Sequence, residues 1–228
     1  MIVPGWAAEQ PNRLAPPRDR DDRDSRDSPA GPGASPVGVA VDGKTLRGAR
    51  QADGTQVQLL AALRHDTGAI VGQRNVDNDK TNEILALALL LGPLTIAGMV
   101  VTADAMHTQR KAAELVVGTK AAHYILGVKK NQPALWNAGI DAHDAIDVDR
   151  PKHDTTHRGH SRIDRHRVWT APVPATVEFP YAQRFIIVER ESSTLDDVRT
   201  SIETRIYVTD LTDDQASAGH LLRLVRGH

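Results

Sequence analysis

The chain has 228 residues, enough for one domain with an appendage, and its 40% hydrophobic and 25% charged content is that of an ordinary globular protein. Cysteine is absent, which excludes disulfides and thiolate metal sites, and a formal net charge of -1 excludes a surface coated uniformly with positive charge. Met1 to Ala8 lacks the form of a signal peptide and no later apolar run is long enough to span a bilayer, so a cytoplasmic protein with no membrane contact is expected.

Residues 1–36 are expected to be a disordered tail. Between Pro11 and Pro36 the chain mixes Pro, Gly and Ser with an alternating Arg/Asp run and offers no apolar period to offset its ordering entropy. Order begins at Val37. Val37 to Val41 is an apolar run of buried-strand length that ends in Asp42-Gly43-Lys44, a turn signal carrying a carboxylate. Gln56 to Arg64 and Ala69 to Val76 read as two further strands around the hairpin turn Asp66-Thr67-Gly68, which makes an antiparallel meander of three. Asn78 to Leu91 changes to a helical period, with Thr81 as N-cap and Gly92-Pro93 as the stop.

Ile96 to Thr102 is a second buried-strand run and delivers Asp104 at its end. Thr108 to Thr119 is predicted helical, Ala122 to Val128 a fifth strand, and a helix starts near Pro133 after Lys129 and Lys130. Later strands are expected at Arg162 to Thr170, Arg184 to Glu191 and Thr204 to Thr209, followed by a helix from Ser217 to Val225 that runs toward the end of the chain. The organisation is therefore an α/β core over 37–147 with flanking helices, a β-rich insertion over 148–210, and the start of a truncated C-terminal helix over 211–228.

Hairpin-linked strands followed by α-β-α-β form one mixed sheet if the fourth strand returns by a right-handed crossover beside the first, in the order 3-2-1-4-5. Asp42 and Asp104 would then terminate neighbouring parallel strands and meet at their carboxyl ends. Adjacent carboxylates repel unless a proton or cation holds them, and oxygen ligands suit Mg²⁺ or Mn²⁺, the ions of phosphoryl transfer. A strand-end Asp is also a common turn former, and only the shared placement raises the pair above that reading. Lys44, Arg47, Lys129, Lys130 and Arg162 sit where a DNA backbone would pass, with solvated loop charge as the bland alternative. His153, His157, His160 and His166 crowd one block without the spacing of a zinc site, and a polar strand and loop is the preferred reading. No Gly-x-Ser-x-Gly or phosphate-cradling Gly-x-x-x-x-Gly-Lys motif occurs.

Five ordered segments carry a family resemblance. Val41 to Gly48 (Val-Asp-Gly-Lys-Thr-Leu-Arg-Gly), Asp77 to Glu83, Thr102 to His107, Tyr124 to Pro133 and Arg158 to Asp164 resemble, in order and spacing, the H-repeat-associated insertion-sequence transposases of the DDE class. That resemblance implies an RNase H-like fold, DNA as partner, and Asp42 and Asp104 as the first two acids of a metal-binding triad. The family's third acid is a Glu in a His-Trp-x-Ile-Glu-Asn segment, and Arg226-Gly227-His228 looks like the approach to it. The resemblance thus implies a transposase core truncated at both ends and inactive by itself, with a non-catalytic DNA-binding remnant as the alternative. Asp164 is a further candidate catalytic acid, or else a residue of a strand face. Self-association or pairing with a full-length transposase is a further expectation.

Overall fold

The computed structural model describes residues 35–50, 54, 56–76, 83–159, 161–194 and 200–228. The tail over 1–34, the helix N-cap Thr81 and most of the Asp77 to Glu83 motif therefore lie outside the described residues, as does His160. The chain is mixed α/β and strand-rich. Nine strands form one sheet in the order β3-β2-β1-β4-β5-β9-β8-β7-β6.

β1 (Gly38–Arg50), β2 (Gln56–Arg64) and β3 (Ile70–Val76) form the antiparallel meander. Asp42-Gly43-Lys44 is not the turn its composition suggested. Asp42, Gly43, Lys44 and Thr45 pair with Ala61, Leu60, Leu59 and Gln58, so the long β2 ladder keeps them extended. After α1 (Glu83–Leu91) the chain returns as β4 (Val100–Ala103), shorter than its apolar run. Gly98 turns with φ 72°, a conformation that glycine adopts freely, and its N–H donates to Ala121 O, which delays the strand to Val100.

The expected helix from Thr108 to Thr119 divides into a short α2 (Arg110–Ala113) and a π-helical turn over Glu114–Thr119. β5 (His123–Gly127) follows parallel to β4, then α3 (Pro133–Asp144), opened by Pro133 where the missing N–H costs nothing. β6 (His153–Gly159), β7 (Arg162–Pro172), β8 (Arg184–Thr194) and β9 (Thr200–Thr209) form an antiparallel ribbon. This ribbon extends the first sheet, because Ile125, Leu126 and Gly127 of β5 pair with Thr209, Val208 and Tyr207 of β9. Asp210 secures the junction: its carboxylate accepts from Tyr124 N at 2.7 Å and meets His123 Nδ1 at 2.7 Å.

Strand alternation divides the core by face. Val39, Val41, Val101, Ala103, Tyr124, Leu126, Phe185 and Ile187 point to one side and pack with apolar residues of α1, α2 and α3. Val100, Ile125, Val168, Ile186 and Val188 point to the other, where Leu221, Leu222 and Leu224 of α4 (Ala218–Arg226) cover them. Ser217 caps α4, its hydroxyl accepting from His220 N. Gly227 ends it against His65, where a Cβ would lie 2.5 Å from the ring nitrogen.

Among the described residues α4 is the helix that covers the second face, which makes it a sensitive element. Leu221 is fully buried there, and Leu221→Ala is expected to cost about 2–5 kcal/mol through lost burial and the cavity left behind. A urea titration with unchanged slope and a lowered midpoint checks this.

Candidate active site

The parallel pairing of β1 with β4 sets the geometry of the acids. Gly38, Val39, Ala40 and Val41 pair with Val100, Val101, Thr102 and Ala103, so Asp42 comes one residue after the last β1 position paired with β4 and Asp104 one residue after the end of β4. Both are exposed. Their positions share the parity of Ala40, Val100 and Thr102, which belongs to the face covered by α4. At that point β4 leaves the sheet and β1 continues with β2 alone.

The turn after β4 is held from several sides. Asp104 caps the 3-10 turn Ala105–His107, one carboxylate oxygen accepting from Met106 N at 3.0 Å. Asn131 Nδ2 donates to Ala105 O at 2.6 Å, and the Thr108 hydroxyl donates to Gly127 O. Gly127 permits this approach, since a Cβ there would stand 3.2 Å from Ala105 N. The Asp104 backbone is thereby fixed against the end of β5, while its carboxylate faces solvent.

Beside it opens a cleft of about 490 Å³, lined by Asp104, Lys129, Trp136, His143, Arg205 and His228 among others. It lies where β5 and β9 part company after Gly127 and Tyr207. Lys129 is exposed at its edge, and Lys44 and Lys130 are exposed on neighbouring segments. The side chain of Arg47 lies outside the described residues. Among the described residues, no three His, Asp, Glu or Cys side chains are grouped to hold a metal ion. Asp104 lines this cleft and Asp42 is not among its lining residues; exposed carboxylates of this kind suit a hard divalent cation.

Asp164 lines a second cleft, of about 300 Å³, rather than the one beside Asp104, and His228 lines both. Its carboxylate meets Arg162 Nε at 3.1 Å and Arg190 at 3.0 Å and accepts from the Ser192 hydroxyl. Burial alone would raise the Asp164 carboxyl, but the Ser192 and Arg190 hydrogen bonds and the charges of Arg190 and Arg162 outweigh it and hold the group below the usual carboxylate range. Sequence reasoning singled out Arg162 and Asp164 but missed Arg190, Arg205 and Arg226, which share their cleft. A signal existed for two of these. Arg190 and Arg205 fall in predicted strands, and only the strand register shows that they share a face with Asp164.

Of the histidine block, His157 Nε2 lies 2.8 Å from Arg226, and His166 is buried with its ring 6.2 Å from that of His157. His153 lies against Gly219 of α4. β6 supplies the polar strand on which His153 and His157 stand.

No protein-family model and no solved structure matches the chain. Curated relatives do. The chain is similar to an uncharacterized protein of the dhlA 3' region of Xanthobacter autotrophicus, 28% identical over 186 residues, 77% of this chain and 61% of that protein. It is also similar to the H repeat-associated putative transposase YhhI of Escherichia coli K12, 31% identical over 119 residues, 51% of this chain and 31% of the relative. The putative transposase YncI of the same organism is 34% identical over 102 residues, 44% of this chain and 40% of the relative. The chain thus spans between about a third and three fifths of the length of these relatives. Sequence similarity to transposase-named proteins therefore covers about half of the chain.

Two histidines near the clefts set a pH dependence. Burial lowers His166 first, and the positive charges of Arg226 and Arg190 lower it further. Burial also lowers His65, helped by His228. A group whose folded pKa is depressed contributes stability above its unfolded value, and loses it as pH falls toward the folded value. Stability should therefore be full at pH 8 and decline as pH falls below about 6.5. Melts across this range should show that slope, and His166→Gln should flatten it while leaving the part due to His65.

Proposed function

We propose that this chain is a catalytic-core portion of a DNA transposase with an RNase H-like fold, in which Asp42 and Asp104 hold Mg²⁺ or Mn²⁺ for strand cleavage and transfer. The observation that carries the reading is the parallel β1–β4 register, which gives two acids remote in sequence corresponding positions at one sheet edge. The strand order β3-β2-β1-β4-β5 and the transposase-named relatives support it. A bound divalent cation would supply charge stabilisation at the attacking and leaving oxygens of an in-line phosphoryl transfer.

The chain's own residues have simpler tasks. Asp42 and Asp104 provide the negative charge that attracts the cation, and the turn fixed by Asn131 and Thr108 holds Asp104 in place. Lys129, at the rim of the cleft, and the exposed Lys44 and Lys130 attract the phosphate backbone without reading its sequence. Two carboxylates position a cation less firmly than three. His228 lines the cleft beside Asp104. A DNA-binding remnant is the second reading, favoured by the arginine-rich cleft around Asp164.

With Mn²⁺ or Mg²⁺ and supercoiled plasmid, cation-dependent nicking should fall to background in Asp42→Asn and in Asp104→Asn. DNA binding in gel shifts should survive both substitutions and weaken about tenfold or more between about 50 and 200 mM salt. Nicking indifferent to both substitutions would overturn the site.

A further inference from the structure

The second cleft lies on the α4 face, between β7, β8, β9 and the C-terminal end of α4. Register places its residues in rows across the strands. His166 of β7 is paired with Arg190 of β8, which is paired with Glu203 of β9, and the neighbouring rows bring Asp164, Ser192 and Arg205 to the same side. Arg226 and His228 close the cleft from α4 and its end.

The charges do not balance within it. Four guanidiniums, of Arg162, Arg190, Arg205 and Arg226, face two carboxylates, of Asp164 and Glu203. Asp164 is shared by Arg162 and Arg190, and Glu203 serves Arg205. Arg226 meets the imidazole of His157 instead of a carboxylate. Two nitrogens are also buried without a hydrogen-bond partner: Nε of Arg190 and Nδ1 of His166, a residue only 7% exposed. A structural ion network would satisfy such groups, because a buried donor without a partner forfeits its hydration. Here the surplus positive charge lines an open cavity, and the two unsatisfied nitrogens lie buried within residues of its wall.

We propose that this cleft binds a phosphate group, with Arg190, Arg226 and His166 as its principal contacts, and that the phosphate belongs to a nucleic-acid strand. The choice of nucleic acid rests on the transposase reading; the phosphate chemistry does not. A tetrahedral anion can accept from the exposed Arg226 fork and, once the cleft wall shifts to uncover them, from Arg190 Nε–H and from His166 in the tautomer that carries its proton on Nδ1. Asp164 then acts as a positioning residue, orienting Arg162 and Arg190 from below the ligand rather than acting on it.

The test is fluorescence anisotropy with the full chain and a short single-stranded oligonucleotide, in EDTA so that a cation at Asp42 and Asp104 cannot contribute. Arg190→Gln and Arg226→Gln should each weaken binding about tenfold and lower the salt slope by about one, whereas Asp42→Asn should bind as the parent does. Arg226 is exposed, so its variant tests the contact without disturbing the core. Inorganic phosphate alone should compete with the oligonucleotide and shift the His166 ring resonance in NMR spectra. Parent-like binding by both arginine variants would overturn the proposal. A phosphate-induced shift of His166 with unchanged oligonucleotide affinity in the variants would assign the cleft to a free anion and overturn the nucleic-acid partner. Nicking indifferent to Asp42→Asn and Asp104→Asn, with this binding intact, would refute the catalytic reading and leave the cleft standing.

Discussion

The parallel ladder between β1 and β4 is the constraint on which the structure turns. Two parallel strands cannot be joined by a tight turn, so everything between them, β2, β3 and α1, is the connection that brings the chain back running the same way. Once Val39 faces Val101 and Val41 faces Ala103, with their side chains buried against the helices, the register cannot slip by one residue without turning these apolar groups outward. The positions of Asp42 and Asp104 follow from that packing. Both acids lie exposed just beyond it, on the rim of a scaffold that the packing makes rigid.

Unequal coverage of the two faces explains where the clefts lie. α1, α2 and α3 bury one side of the sheet, whereas α4 covers the other with an apolar stripe that reaches Val100, Ile125, Val168, Ile186 and Val188. Beyond the end of that stripe the strands present Asp164, His166, Arg190 and Arg205, and the two clefts open on either side of His228. α4 therefore links core stability to both clefts, since Leu221 anchors it while Arg226 and His228 reach the polar region.

Much of this was legible in the sequence, for identifiable reasons. The runs Val37–Val41 and Ile96–Thr102 are apolar without alternation, the pattern of strands buried on both faces, and each ends in an acid. Gln56 to Arg64 has bounds that match β2 as observed, because the turn Asp66-Thr67-Gly68 marks its end. Asp42-Gly43-Lys44 misled, since local turn propensity gave way to pairing with Leu59, Leu60 and Ala61. The pairing of β5 with β9 left no local mark, as it joins residues 80 to 84 positions apart. The arginine cleft was hidden for the same reason: Arg162, Arg190 and Arg205 are ordinary strand charges until the register collects them on one face, where Arg226 of α4 joins them.

The central claim is that Asp42 and Asp104 form one cation site, and the measurement that addresses it most directly is Mn²⁺ binding followed by electron paramagnetic resonance in the parent chain, the Asp42→Asn and Asp104→Asn variants, and the double variant. If the carboxylates share a cation, each single substitution removes most of the binding and the second adds little, a strongly non-additive cycle. Independent, additive losses, or Mn²⁺ binding that ignores both substitutions, would contradict the account.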